Sequence, residues 1–139
     1  EPNATSVEKN GLGYVVGYVG ELVGNVPYTA YNARKSYIEE NPDIIKKFTR
    51  AINKGLQYVD SHSSEDVARI VSEYFPDTSL SDMITIVNRY KEGDAWKKNI
   101  TISEEEWNHI QEIMEASSEL EKYVEYDELI YDEYFEDYE

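Results

Sequence analysis

Beyond Pro42 the apolar residues recur at helical spacing, so that successive stretches each have one side to bury. Ile44, Ile45, Phe48, Ile52, Leu56 and Val59 fall on one face of a helix of about 18 residues, with Lys46, Lys47, Arg50 and Lys54 elsewhere on its surface. Ser63 or Ser64 caps a second helix whose stripe is Val67, Ala68, Val71, Tyr74 and Phe75, and Pro76 ends it. Leu80, Met83, Ile84, Val87 and Tyr90 repeat the pattern behind Ser79, with Gly93 as the stop. Ser103 and Glu106 stand at the spacing of a capping box, ahead of an apolar face made of Trp107, Ile110, Ile113 and Met114. A last amphipathic helix, about Tyr126 to Tyr138, sets Ile130, Tyr131, Tyr134, Phe135 and Tyr138 against Asp132, Glu133, Glu136 and Asp137.

The first forty residues follow another pattern. Asn3 to Asn10 is helix-compatible and Gly11 is a suitable stop. Residues 14–19, YVVGYV, form an apolar run rich in β-branched and aromatic side chains between glycines, the signature of a buried strand. A second strand is expected over Tyr28–Asn32, then a short helix over Ala33–Glu40. At the junction Asn41 supplies a side-chain oxygen for orphan N–H groups, Pro42 fits the first helical position, and Asp43 meets the positive end of the helix dipole. Two strands make a marginal sheet by themselves, which hints at a truncated fold.

Length changes the picture little: 139 residues suffice for one compact domain with a real core. Charge changes it more. From Ser103 to the end, 15 Asp and Glu face a single Lys, whereas residues 1–102 carry 14 acids and 12 bases. Such an acidic tail repels phosphate backbones and anionic lipid, so it argues against nucleic-acid and membrane-surface partners; a solvated acidic surface accounts for it. No apolar run approaches the ~20 residues of a membrane helix. Cysteine is absent, which removes disulfides, thiolate metal sites and cysteine nucleophiles.

Candidate chemistry is sparse. His62 and His109 stand in neither a zinc-protease spacing nor a triad, and read as ordinary surface or packing residues. The acidic runs lack the alternation of a calcium loop, and the glycines do not form a phosphate cradle, so no catalytic residue, metal or cofactor is expected. Asn3 with Thr5 and Asn99 with Thr101 match a glycosylation pattern too common to weigh. Most of the 13 tyrosines sit on apolar helix faces, where half-buried packing explains them.

The run VPYTAYNARKSYIEENPDIIKKF, with EPNATSVEKNGLGYVVGYVG before it and YFPDT, MITIVNRYKEGDAWKKN and ISEEEWNHIQEIME after it, resembles one family along nearly the whole chain. The family is the substrate-binding proteins of ABC importers, in the branch for thiamine-pyrimidine precursors, taurine or sulfonates, and nitrate. The resemblance is to its C-terminal portion. It implies part of a type II periplasmic-binding-protein-like fold, α/β and helix-rich, with about two strands (14–19 and 28–32) and five to six helices. On this resemblance residues 1–25 are a remnant of the second lobe and the approach to the hinge. Residues 26–139 are then a crossover strand and a helical region packing on the first lobe. The implied role is capture of a small solute by closure of two lobes, without catalysis, in partnership with a membrane permease. The implied location is extracytoplasmic, either periplasmic or lipid-anchored at the outer face of the cell membrane. Tyr28 and Thr29, at the start of the crossover, and Glu1, in a Glu-Pro element, are the expected ligand contacts.

Two other classes stand beside this one. Proteins resembling the family include a pyrimidine synthase that uses iron and consumes its own histidine, but its histidine and cysteine-rich motif match nothing here. A helical interaction module is the other; it would lack strands, whereas YVVGYV and YTAYN should pair in a sheet. Apolar surface left by truncation also points to a homodimer or strand exchange.

Overall fold

The structure, a computed structural model, describes residues 1–134 and is helical throughout its regular parts. In chain order the helices are α1 (Asn3–Lys9), α2 (Val19–Val23), α3 (Lys35–Glu40), α4 (Pro42–Ser61), α5 (Ser64–Val71), α6 (Leu80–Glu92), α7 (Glu104–Ala116) and α8 (Tyr126–Leu129), with a one-turn 3-10 helix at Ser72–Tyr74. The chain divides into two compact units. One comprises Glu1–Leu22 with Lys54–Lys98, and the other Val23–Asn53 with the chain from Asn99 onward.

In the first unit α5 packs on α6. Val67 and Ala68 from α5 and Met83 and Val87 from α6 are buried together, flanked by Tyr58, Val59, Val71, Leu80, Ile84 and Trp96. The helix signals in this region act as the sequence implies. Ser63 Oγ accepts from Asp66 N–H and Ser79 Oγ accepts from Asp82 N–H, each satisfying an orphan donor at a helix start. Ser64 Oγ also donates to Asn88 Oδ1 at 2.5 Å, tying α5 to α6.

α6 ends at Gly93, as the sequence implies, though the left-handed residue is the next one. Gly93 is the C-cap at φ −83°, and Asp94 takes the left-handed position at φ 47°. Ala95 N–H bonds Tyr90 O and Asp94 N–H bonds Lys91 O, a Schellman closure built on aspartate, a residue that tolerates this conformation better than most. Gly93 is needed for closeness instead: a Cβ there would lie 3.3 Å from the Tyr18 ring and 3.2 Å from Arg89 O.

In the second unit α7 begins with the full capping box. Ser103 Oγ accepts from Glu106 N–H, and Glu106 Oε2 accepts from Ser103 N–H. The buried Gln111 then clamps the returning chain, accepting from Val124 N–H at 2.7 Å and donating to Val124 O at 3.1 Å. Trp107 Nε1 donates to the same carbonyl, and Tyr126 OH donates to Ile102 O.

Neither expected strand forms among the described residues. Residues 14–18 have no regular structure, Tyr14 and Val16 are 86% and 99% exposed, and Val15 N–H donates to the Glu8 carboxylate rather than to a neighbouring strand. Val19, assigned to that strand by its pattern, opens α2. Residues 28–32 are equally unpaired: Tyr28 is 92% exposed, and Tyr31 packs edge-on against Phe48 with ring centroids 5.0 Å apart. The α/β expectation with strands at 14–19 and 28–32 is therefore corrected to an all-helical description. A strand is defined by a ladder, and apolar alternation cannot supply the opposing backbone.

Three smaller corrections concern helix ends. The helix expected from Ala33 starts at Lys35. Asn41 acts backwards, its Nδ2 donating to Tyr37 O to close α3, while its backbone carbonyl accepts from Ile44 and Ile45. The last helix stops at Leu129 because Ile130 is extended; its expected continuation through Phe135 to Tyr138 lies outside the described residues. Like charges at Asp127, Glu128, Asp132 and Glu133 oppose its propagation.

Candidate functional site

The three residues expected to contact ligand are placed very differently. The Glu1 side chain is 8% exposed: Arg89 Nη1 donates to it at 2.8 Å and Thr5 N–H at 3.0 Å. Burial alone would push the Glu1 carboxyl up, but the guanidinium and the Thr5 N–H outweigh it and hold it below the ordinary glutamate value. The other arm of Arg89 reaches Glu8, which also accepts from Val15 N–H and whose carboxyl is likewise held low, first by that N–H and then by the guanidinium. Glu1 thus fastens α1 to α6 in the first unit. Tyr28 and Thr29 stand side by side in the second unit, both exposed, on the irregular stretch between α2 and α3.

His109 touches the point where that stretch begins. Its Nε2 lies 2.7 Å from Val23 O, the last residue of α2, and its Nδ1 lies 3.5 Å from Glu112 Oε2. Gly24 follows at φ 83°, a conformation that favours glycine, and turns the chain toward Tyr28. The Val23 carbonyl, with help from Glu112, raises the His109 pKa above its ordinary 6.5. A raised folded-state value means the stabilisation is complete below the unfolded pKa and is lost as pH rises through the folded one. A proton NMR titration of the His109 ring should give a midpoint above 6.5, which Glu112→Gln lowers. A midpoint at or below 6.5 would show that the Val23 contact does not hold the imidazolium.

The first unit also contains a recess of about 200 Å³ at the C-terminal ends of α4 and α6. Leu56, Val59, Tyr90 and Trp96 give it half-buried apolar and aromatic walls, with the phenol and indole centroids 5.0 Å apart and tilted by 38°. Lys91 is half-buried and donates to His62 O just beyond α4, where a cation suits the helix dipole. Asp60, Asp94 and Lys97 complete the lining at its exposed margin. The aspartates are balanced by lysines, so the recess offers a stacking surface with one donor and one acceptor flank. Sequence reading treated MITIVNRYKEGDAWKKN as a family mark and missed the site. The readable signal was two aromatics interleaved with alternating charges around a helix stop.

No group of three or more metal-ligating side chains occurs among the described residues, and no helix there is long and apolar enough to cross a membrane.

Residues 4–66 match the family model described as NMT1/THI5 like. The chain is 38% identical over 130 residues to a Bacillus subtilis (strain 168) protein named “Putative binding protein YtlA”. The match covers 94% of this chain and 39% of that protein's length. No solved structure matches the chain.

Proposed function

We propose, from the match of residues 4–66 to the NMT1/THI5-like family model, that the chain is the C-terminal portion of the solute-binding component of an ABC importer. The observation that carries the reading is the 38% identity to a protein named for binding, sustained over 94% of the chain. In this reading the protein binds without catalysing. It takes a small polar or heteroaromatic solute, such as a thiamine-pyrimidine precursor or a sulfonate, by closure of two lobes outside the cytoplasm, either in the periplasm or on a lipid anchor, and presents the closed form to a membrane permease. Residues 1–25 approach the hinge, and residues from 26 onward cross to the first lobe. Differential affinity for the closed arrangement is what drives such a device.

Tyr28 and Thr29 are the ligand contacts of this chain. Their exposure leaves a phenol face and a hydroxyl available for stacking and hydrogen bonding. Glu1 contributes only if its bond to Arg89 opens. The test is ligand identification on the protein at the full length of its relative, by mass spectrometry of copurified solute, followed by titration of Tyr28→Ala. Loss of the phenol face should weaken binding about tenfold or more. Unchanged affinity would remove Tyr28 from the site, and tight stoichiometric binding by residues 1–139 alone would overturn the assignment of a partial cleft.

A helical interaction module is the second reading. It is favoured by the lack of strands among the described residues and by the exposed apolar side chains of Leu12, Tyr14, Val16, Val19 and Leu22. Light scattering separates the two: self-association or stable capture of a protein partner favours the module.

A further inference from the structure

We propose that the Tyr90–Trp96 recess is a second small-molecule site, selective for a single aromatic ring that carries an amino group at one end and an acidic group at the other. The site lies wholly in the first unit, whereas Tyr28 and Thr29 belong to the second, so the two readings stand or fall separately.

Size gives the first constraint. A cavity of about 150 Å³ accommodates benzene. The recess, at about 200 Å³, has room for one six-membered ring with small substituents and little more. The walls give the second: the Trp96 indole and Tyr90 phenol, packed on each other at 5.0 Å with a tilt of 38°, line the recess together with Leu56 and Val59 and offer a flat ring an aromatic and aliphatic surface.

Charge gives the third. The Asp94 carboxylate makes no hydrogen bond or ion pair among the described residues, and the left-handed φ of 47° holds it at the helix stop beside the rings. It is exposed, so a ligand's donor can take the place of water on it. Lys91 is anchored by His62 O through one of its three N–H groups, which leaves donors for an anionic oxygen. A ligand with only a cation would meet Lys91, and one with only an anion would meet Asp94; an amphoteric ring satisfies both.

The probe is 4-aminobenzoate, with aniline and benzoate as single-ended controls, titrated into the isotopically labelled chain. The Trp96 indole N–H cross-peak should shift saturably, while the Trp107 indole, in the other unit, should not move. Asp94→Asn should weaken 4-aminobenzoate and aniline about tenfold and should not weaken benzoate, which loses a like charge. Asparagine tolerates the same backbone conformation, so this variant retains the turn. Lys91→Gln should weaken 4-aminobenzoate and benzoate and spare aniline. Absence of saturation by roughly 10 mM, a fold change common to all three probes, or equal binding of toluene would overturn the proposal, since each leaves only nonspecific apolar contact.

Discussion

Replacing Arg89 with methionine is expected to destabilise the first unit by about 2–3 kcal/mol, because the aliphatic stem is kept while two carboxylates lose their shared cation. Arg89 is 17% exposed in its side chain and bonds Glu1 and Glu8 with separate arms, with Thr5 Oγ1 at 3.0 Å from Nη1. Once the guanidinium is gone, Glu1 keeps only its Thr5 bonds and the N-terminal charge against burial, so its carboxyl should rise from its lowered value. The sign of the pH dependence follows. In the parent chain both carboxyls are held below the ordinary 4.5, so their stabilisation is present above that value and is lost as pH falls through the folded-state values. In the variant the guanidinium's share of this contribution is absent, while the Thr5 and Val15 N–H bonds remain. The gap between parent and variant should therefore be widest near neutrality and should close toward pH 4 and below. Denaturant melts followed by Trp96 fluorescence in a Trp107→Phe background report this unit, since Trp96 packs on its core. Arg89→Lys should fall between the two, keeping the charge without the fork. A pH-independent deficit would mean that lost packing, not lost pairing, is responsible.

This network was illegible in the sequence for a simple reason. Arg89 stands 88 residues from Glu1 and 81 from Glu8, and on its own helix it reads as a surface cation. What could be read was local. The capping box needs only Ser103 and Glu106, three residues apart, and it formed as its spacing implies. Gly11, at φ 67°, closes α1 through Leu12 N–H to Val7 O, again within one turn. The apolar stripe of α4 was legible as a face, yet Ile44 and Phe48 remain 51% and 42% exposed, because periodicity predicts which side is apolar and not whether anything covers it.

The strand expectation failed on the same distinction. Tyr14–Val19 has the residue types of a strand, but its backbone finds no ladder among the described residues. The site was legible only in part. Adjacency placed Tyr28 with Thr29, whereas the engagement of Glu1 by Arg89 and the recess beside Trp96 depend on contacts between elements distant in sequence. Glutamate in a Glu-Pro element looks available until a cation from another helix is seen to hold it.

Gln111 provides the strongest test of the second unit. At 3% exposure, on a helix turn that reads as polar, it spends both ends of its amide on the backbone of Val124. Gln111→Met keeps the volume and removes both bonds. Val124 O retains Trp107 Nε1, but the half-buried Val124 N–H loses its acceptor, and the expected cost is about 1–2 kcal/mol. Gln111→Glu gives a sharper reading. At neutral pH the carboxylate still accepts from Val124 N–H but faces Val124 O with no proton to offer, and it adds charge to an already acidic unit. Its folded-state pKa should rise, so the variant should recover stability as pH falls through that value, when the acid becomes a donor again. Melts followed by Trp107 fluorescence in a Trp96→Phe background would show the deficit at neutral pH and its partial recovery under acid. Equal melting of Gln111→Met and parent would mean that the Val124 amide finds solvent, and that the clamp contributes nothing to holding residues 117–126 against α7.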